Sequence, residues 1–454
     1  MKIALLSNVT VEVLAGLLRK EHAVWTPSGF GAWMETALEP PEDLRTFAPD
    51  LICVLIDRRF GSFDADVQDL DAACARLREC FPSAAVIAPD VARLAADFGD
   101  DFYDAKMWTL GKMPFSLKGL RELVKLLSRK KVVAVDLDNT LWKGIVGEDG
   151  VDGIVPDRDL QAKLLELKRR GILLAAFSKN NADDVEPAWD DPRMLLGKSD
   201  FVALAIDWNE KAENLDRIAA ELNLGRESFV FVDDRPVERA RMRAALPDVA
   251  VADFPPQLDV WFPFAAMTDE DAGKTEMYRA ESERRKFAAG LSVKDYLKGL
   301  EIRNEIRPAA AADVPRLAQL AQKTNQFNVC TTRLSEGDFT AILNDPRQVL
   351  VVARSSDRFG DYGLVAFVRV RLDDAGDAAE IADWVMSCRA MNRRIEFAVE
   401  DEVERTLRTR GVRTLRASWK KTARNAPVAE LFDGFGFARV AVDEGGRTYS
   451  KTLV

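Results

Sequence analysis

Two aspartates placed two positions apart, Asp136 and Asp138, are the residues from which chemistry is first expected. They follow the apolar run Val132–Val135, which predicts a strand buried on both faces of a parallel sheet. Ligands of open α/β sheets bind at the carboxyl ends of the strands, so both carboxylates are predicted to lie at a binding edge. Two carboxylates so placed repel each other unless a cation joins them, and Mg²⁺ takes oxygen ligands of this kind. An ordinary acidic turn after a strand is the alternative, and this stretch alone leaves it open.

Other polar residues that could take part in the same chemistry occur later in the chain. Ser178 and Lys179 follow the apolar run 172–177. Lys211 lies near the start of an amphipathic helix, and Asp233 and Asp234 follow the apolar run Phe229–Val232. A hydroxyl followed by a helix N-terminus can hold phosphate oxygens. A lysine can neutralise phosphate, and a second acidic pair can complete a metal site. The four stretches, taken in this order, resemble the motif set of the haloacid dehalogenase (HAD) superfamily.

That resemblance implies a separate role in catalysis or binding for each of these residues. Asp136 is predicted to be the nucleophile that forms an aspartyl-phosphate, and Asp138 the general acid and base. Ser178, Lys179 and Lys211 are predicted to bind the phosphoryl oxygens. The predicted Mg²⁺ ligands are Asp136, the carbonyl of Asp138, and Asp233 or Asp234, with the choice between the last two left open.

Composition limits the classes of protein. The 454 residues suffice for two to four domains, and 47% hydrophobic and 30% charged residues are ordinary globular values. A net charge of −10 without a basic block argues against nucleic-acid binding. Neither a long apolar run nor a convincing signal peptide is visible, so no membrane partner is expected. The five cysteines are odd in number and scattered, which favours a reducing cytoplasm.

The patterns predict an α/β protein with four regions: 1–129, 130–268, a helical connector at 269–300, and 301–454. The first region has predicted strands at 3–6, 51–56 and 84–87 and a helix at 64–80, and we interpret it as a docking or scaffolding module. Its Ser7 and Asn8 resemble the start of an SGNH hydrolase site, but no Asp-x-x-His pair follows. The second region is predicted to be HAD-like without a cap domain, because ordinary strand–helix crossovers fill the intervals between its motifs.

The last region is predicted to be an α+β domain with a helix at 313–323, strands at 348–353, 363–371 and 381–386, and a helix at 394–410. Its tail resembles the ending of the GNAT acetyltransferase fold. The turn 387–396 lacks the glycines that let a backbone approach a pyrophosphate closely. Acetyl-CoA binding is therefore not expected, whereas a phosphopantetheine arm remains compatible.

This last region also contains the predicted acyl-transfer residues. Cys388 is the candidate nucleophile, since Arg389 and Arg393 beside it would lower the pKa of its thiol. Its alternative is a buried structural cysteine, and Cys330 is the reserve candidate. The residues predicted to hydrogen-bond substrate hydroxyls are Thr140, Thr324, Asn325, Gln326 and Asn328, the last four having a capped loop as their alternative.

The stretches VDLDNTLWKGIVGEDG, FSKNN, FVDDRPVER, KTNQFNVCTTR, DRFGDYGLV and WVMSCR together resemble the FkbH-like proteins, HAD-type glyceryltransferase/phosphatases of polyketide assembly lines. The resemblance covers about residues 130–454, and the region 1–129 is similar to their SGNH-like domain. It implies 1,3-bisphosphoglycerate as substrate and the phosphopantetheine arm of an acyl carrier protein as acceptor. Cys330 is an extra residue in the family's pattern, and Leu334 replaces an arginine. A plain HAD phosphatase whose last domain only binds a partner is the alternative function.

Overall fold

Two units make up the computed structural model, Met1–Arg279 and Ala280–Val454. The structure describes residues 1–29, 31–59, 67–263 and 273–453. The four-region division at 129, 268 and 300 is finer than these two units and stays a prediction.

A parallel sheet of four strands in the order β2-β1-β3-β4 opens the first unit. Its elements are β1 (Lys2–Ser7), α1 (Glu12–Leu18), β2 (Ala23–Trp25), α2 (Trp33–Leu38), α3 (Glu42–Phe47), β3 (Leu51–Leu55), α4 (Val67–Cys80), β4 (Ala85–Ile87), α5 (Val91–Phe98), α6 (Ala105–Gly111) and α7 (Leu117–Leu126). The three predicted strands are present. Sequence reasoning missed β2, which is only three residues long, too short for its apolar residues to stand out as a strand. Residues 64–66, where the predicted helix at 64–80 begins, lie outside the described residues.

A second parallel sheet follows in the same unit, with five strands in the order β11-β10-β5-β8-β9. Its elements are β5 (Val132–Val135), β6 (Trp142–Lys143), α8 (Val146–Gly153), β7 (Val155–Pro156), α9 (Arg158–Arg169), β8 (Leu173–Ser178), α10 (Ala182–Val185), β9 (Phe201–Ile206), α11 (Lys211–Leu222), β10 (Phe229–Val232), α12 (Pro236–Ala245), β11 (Ala250–Val251) and α13 (Leu258–Trp261). Only the short β6–β7 pair and two helices separate β5 from β8, so no cap domain is inserted there.

Strand β5 is central, and its residues are completely buried. Val133 and Val135 pack into the core on one face of the sheet, while Val132 and Ala134 pack into the core on the other. This two-sided burial explains the continuous apolar run, because a parallel sheet covered by helices on both faces has no polar side. In the register, Val135 pairs with Ala176 of β8 and with Val232 of β10, so the three strands end at one edge.

The second unit is built on a seven-stranded sheet in the order β12-β13-β14-β15-β16-β18-β17. The remaining elements are α14 (Lys274–Ala288), which crosses the division between the units, α15 (Val293–Leu300), β12 (Arg303–Pro308), α16 (Val314–Lys323), α17 (Glu336–Asn344), β13 (Gln348–Asp357), β14 (Gly360–Leu372), β15 (Ala378–Met386), α18 (Ile395–Thr409), β16 (Thr414–Lys420), α19 (Leu431–Gly434), β17 (Ala438–Asp443) and β18 (Gly446–Thr452). Only β15 and β16 pair in parallel; the other neighbouring strands are antiparallel.

The predicted fold class is confirmed by these topologies: two parallel α/β sheets, the second without a cap, and a mixed α+β sheet. The predicted strands of the second unit are present but longer than expected, and α14 and α15 fall in the predicted connector. Among the described residues, no helix combines the length and apolar character needed to cross a membrane.

Candidate phosphate and metal site

The ends of β5 and β10 and the start of α11 bring an ammonium group among carboxylates. Lys211 Nζ lies 2.7 Å from Asp136 Oδ1 and 2.6 Å from Asp233 Oδ2. One carboxylate oxygen from each of Asp136, Asp233 and Asp234 lies within 4.8 Å of the others. The structure therefore brings Asp136 together with Asp233 and Asp234, as the strand-end rule predicts, and places Lys211 among them.

The cluster contains more acidic than basic groups, and their burial shifts their pKa values. Desolvation raises the pKa of Asp136 to about 7, with Lys211 opposing this effect and Asp233 adding to it. Burial, followed by the charge of Asp233, also raises the pKa of Asp234. Desolvation acts to lower the pKa of Lys211, but Asp136 and Asp233 outweigh it and hold that pKa above its usual value. Three carboxylates thus face one ammonium group, an arrangement that a divalent cation would stabilise.

Asp234 provides an independent sign of fit to a cation. Its Oδ1 is buried and has no hydrogen-bond partner within the described stretches of the chain. By contrast, Asp233 uses both oxygens, Oδ2 accepting from Lys211 and Oδ1 accepting from the backbone N–H of Arg235 at 2.9 Å. Buried polar atoms without partners are rare in proteins, and an ion is one of the explanations for them. Oxygen ligands of this type are those preferred by Mg²⁺.

Asp138 lies on the loop after β5 and is held by three donors. Its Oδ1 accepts from Trp142 Nε1 at 2.9 Å and from the Val146 N–H at 3.1 Å, and its Oδ2 accepts from Asn180 Nδ2 at 2.7 Å. The loop reverses at Asn139, whose φ of 54° lies in the left-handed region that asparagine tolerates. The carboxylate is therefore fixed in one orientation, as an acid/base group beside a nucleophile requires.

Asn180 was not singled out from the sequence, yet it links the first two loops. It is buried, and its Nδ2 donates to Ser178 Oγ at 3.0 Å as well as to Asp138. Its place in the motif FSKNN, two residues after Ser178, was the only available signal. The bond shows that Ser178 and Asp138 share one region of the site.

Thr140 and Lys179 have partners within the protein. Thr140 Oγ1 accepts the Asp234 N–H at 3.1 Å, which ties the first loop to the second acidic pair. Lys179 Nζ bonds to Glu210 at 3.2 Å and to Glu238 at 3.4 Å. Substrate binding by Thr140 and phosphate binding by Lys179 therefore stay predictions, and both side chains already have structural partners.

The polar segment of the second unit is mostly engaged internally. Asn328 is fully buried; its Nδ2 donates to the Thr324 carbonyl at 3.3 Å and its Oδ1 accepts the Thr331 N–H at 2.7 Å. Asn325 Oδ1 accepts from Arg333, while Gln326 is exposed. These bonds match the capped loop that the sequence left open for Asn328, because its side chain has no surface to offer a substrate.

The same segment closes a gap in the seven-stranded sheet. The parallel pairing of β15 with β16 ends at Ile381 and Ala417. Beyond that point, the Val329 N–H donates to the Trp384 carbonyl of β15 at 3.2 Å, and the Lys420 N–H of β16 donates to the Val329 carbonyl at 2.8 Å. These backbone groups of the two diverging strands are therefore paired with the protein's own chain.

The two candidate cysteines differ in environment. Cys388 is exposed, so the buried-cysteine alternative does not apply to it. Arg393, expected beside its thiol, instead bonds to Glu281 at 3.0 Å and to the Met391 carbonyl at 3.2 Å. Burial, with a smaller effect from Asp383, raises the pKa of Cys330 to about 11, which disfavours its thiolate.

No protein-family model and no curated protein sequence matches the chain. The chain is similar to the N-terminal part of BF1531 from Bacteroides fragilis, described as containing a phosphatase domain complexed with Mg, at 22% identity over 62% of this chain and 93% of that one, with a TM-score of 0.33. It is also similar to the ribosomal-protein-S18-alanine N-acetyltransferase from Escherichia coli, at 17% identity over 33% of this chain and 94% of that one, with a TM-score of 0.26. At these TM-scores the likenesses carry no functional argument, and function is argued from the site.

Proposed function

We propose that this protein is a Mg²⁺-dependent glyceryltransferase/phosphatase. Its substrate would be 1,3-bisphosphoglycerate, and it would load a glyceryl unit onto an acyl carrier protein. The observation that carries the proposal is the buried cluster in which Asp136, Asp233 and Asp234 surround Lys211 and one oxygen of Asp234 lacks a partner among the described residues. The acceptor and the three-carbon substrate come from the resemblance of the sequence motifs.

In the phosphatase step, a carboxylate oxygen of Asp136 attacks phosphorus and the bond to the substrate oxygen breaks. Asp138 gives that oxygen its proton, then takes a proton from the water that hydrolyses the aspartyl-phosphate. Lys211 and Ser178 would stabilise the phosphoryl oxygens. Mg²⁺ at the carboxylates would cancel charge between Asp136 and the incoming phosphate.

In the acyl step, the thiolate of Cys388 attacks the carbonyl of the acyl phosphate, and inorganic phosphate leaves with the bonding electrons. The thiol of the phosphopantetheine arm then attacks the thioester carbonyl; the bond to Cys388 sulfur breaks, and the departing Cys388 thiolate accepts the proton that the incoming thiol gives up. The exposure of Cys388 supports this assignment because a carrier-bound thiol must reach the sulfur. The raised pKa of Cys330 favours Cys388 over the reserve candidate.

The test is to incubate the protein with 1,3-bisphosphoglycerate and Mg²⁺ and to measure the intact mass together with phosphate release. We expect a covalent glyceryl adduct in the wild type and in Cys330→Ala, and none in Cys388→Ala. An adduct that persists in Cys388→Ala would contradict the role of Cys388.

A plain phosphatase whose second unit binds a partner is the second candidate, and the internally bonded polar segment around Asn328 favours it. This candidate predicts phosphate release from phosphate monoesters with no adduct in any variant. Acetyl-CoA binding, measured by calorimetry, separates both from an acetyltransferase; we expect none.

A further inference from the structure

Arg239 of α12 contacts the loop that carries the second acidic pair from behind. Its Nη1 donates to the backbone carbonyls of Asp233 and Asp234, each at 2.8 Å. The residue is 6% exposed, so these bonds form in a setting shielded from water. One guanidinium nitrogen thus holds two successive carbonyls, and this fixes the direction in which the peptides and their side chains point.

The rest of that guanidinium is held by a residue far away in the sequence. Asp97 Oδ1 accepts from Arg239 Nε at 2.9 Å, and Asp97 lies on α5, a helix that packs against the cores of both sheets of the first unit. Arg243, one helical turn after Arg239, bonds to the other oxygen of Asp97. Burial acts to raise the pKa of Asp97, but both arginines outweigh it and hold that pKa below its usual value.

Through these contacts, Asp97 can affect the orientation of Asp233 and Asp234. A buried guanidinium that loses its carboxylate partner keeps an unpaired charge and is drawn toward other acceptors or water. Arg239 would then leave the two carbonyls, and the loop with Asp233 and Asp234 would lose its fixed orientation. Partners that orient ligands from outside a metal site are known to change metal affinity in this way.

We propose that Asp97 is a positioning residue of the metal site and acts through Arg239. The helix α5, which lies in the region predicted to be a docking module, would then also help to complete the site at the edge of the second sheet. The inference rests on the proposed function in one respect, the binding of a divalent cation by the Asp136, Asp233 and Asp234 carboxylates.

The helix α5 also provides a matched control. Arg93, on the same helix, forms an ion pair with Asp253 and donates to the Pro255 carbonyl. These partners follow β11 and do not belong to the loop that carries the acidic pair. Arg93→Gln therefore removes a comparable ion pair from α5 while leaving Arg239 and its carbonyl contacts in place.

The experiment measures Mg²⁺ binding to the full chain by isothermal titration calorimetry for the wild type, Asp97→Asn, Asp97→Glu and Arg93→Gln. Thermal melting in EDTA reports folding separately. We expect Asp97→Asn to weaken Mg²⁺ binding by about 10-fold to 100-fold, Asp97→Glu to recover some of the loss, and Arg93→Gln to bind like the wild type. If Asp97→Asn does not fold, Arg239→Lys replaces it, because lysine keeps the charge but loses the fork geometry.

Wild-type affinity in Asp97→Asn would overturn the proposal, as would an equal loss in Arg93→Gln, since the effect would then reflect α5 in general. A wild type that binds no Mg²⁺ would overturn the metal assignment of the proposed function, and this inference with it. Normal wild-type binding with an unchanged Asp97→Asn would overturn the role of Asp97 alone.

Discussion

Two buried or half-buried lysines in this protein each lie between two carboxylates, and comparing them shows what makes a site. Lys211 Nζ lies 2.7 Å from Asp136 and 2.6 Å from Asp233. Lys451 Nζ bonds to Glu400 at 2.7 Å and also pairs with Glu404. Considered only as local clusters of charge, the two arrangements look alike.

The surroundings of the two clusters differ in charge. Near Lys211 a third carboxylate, Asp234, adds negative charge. Near Lys451, Arg408 bonds to Glu404 at 2.7 Å and brings a second positive charge. The first cluster is therefore short of positive charge, whereas the second is balanced by the protein itself.

The elements that carry the charges differ as well. Glu400 and Glu404 are four residues apart on α18, a spacing that places them on one face of a helix and suits a structural ion network. The carboxylates around Lys211 follow the ends of two strands, on loops at the edge of a sheet. An imbalance of buried charge at strand ends, more than the charges alone, is what distinguishes a ligand site from a structural network.

The largest expected effect separates the two clusters by activity. Asp136→Asn should reduce Mg²⁺-dependent phosphate release from p-nitrophenyl phosphate by about 10⁴-fold or more, because the nucleophile is lost. Glu400→Gln, the corresponding change in the other cluster, should leave the rate per folded molecule unchanged. Full phosphate release by Asp136→Asn would refute the proposed nucleophile.

Replacing the lysines should sharpen the contrast. Lys211→Met should lower kcat by about 10²-fold to 10³-fold, since a group that stabilises the transferring phosphoryl oxygens is removed. Lys451→Met should leave kcat per folded molecule unchanged while costing about 3 kcal/mol of unfolding free energy, because two carboxylates lose a common partner. Steady-state kinetics and urea denaturation on both variants measure kcat and the unfolding free energy. Equal losses of activity in the two variants would contradict the proposed difference between the clusters.

Mg²⁺ should stabilise the folded protein, and this gain should depend on the Lys211 cluster and not on the Lys451 cluster. At a concentration about 100 times the dissociation constant, binding adds about 2.7 kcal/mol to the stability of the wild type. Asp234→Asn should lose most of this gain, while Glu404→Gln should keep it. The readout is the shift in melting temperature between EDTA and Mg²⁺, and an equal shift in both variants would mean that the ion binds elsewhere.

The smallest expected effect is a pH dependence at the balanced cluster. Burial, reinforced by the hydrogen bond with Glu404, raises the pKa of Glu400 to about 7. A folded-state pKa above the unfolded value contributes stability at low pH that is lost as pH rises toward and through 7. Relative to wild type, Glu400→Gln should therefore gain stability between pH 5 and pH 8, measured by denaturation in EDTA. A constant difference across that range would show that Glu400 does not titrate there.

Sequence reasoning reached the candidate site around Asp136 because the patterns that it uses lie within short stretches of the chain. Apolar runs of a two-sided parallel sheet are visible in the sequence, and the residues after them must meet at one edge. Asp136 and Asp233 could therefore be placed together from the sequence alone, whereas Lys211 was added through the resemblance to the HAD motif set. Strand β2 was missed because its apolar stretch is only three residues long.

In the second unit, the same reasoning could not tell which polar residues are available to a substrate. Polar residues such as Asn328 look equally available in a sequence whether they face a substrate or bond to their own loop. Only the fold shows that Asn328 is fully buried and that its segment fills the gap between β15 and β16. The exposure of Cys388 and the partial burial of Cys330 are decided in the same way, by packing between distant segments.

The sequence by itself determined the sheet classes, the order of the reactive groups and the edge at which they gather, because hydrophobic periodicity and strand-end placement act within short stretches of chain. Only the tertiary structure decided the unpaired oxygen of Asp234 among the described residues, the bond from Asn180 to Asp138 and the contact of Asp97 with Arg239. These depend on which distant segments pack together, and the energy of a buried polar contact has no signature in the residues on either side of it.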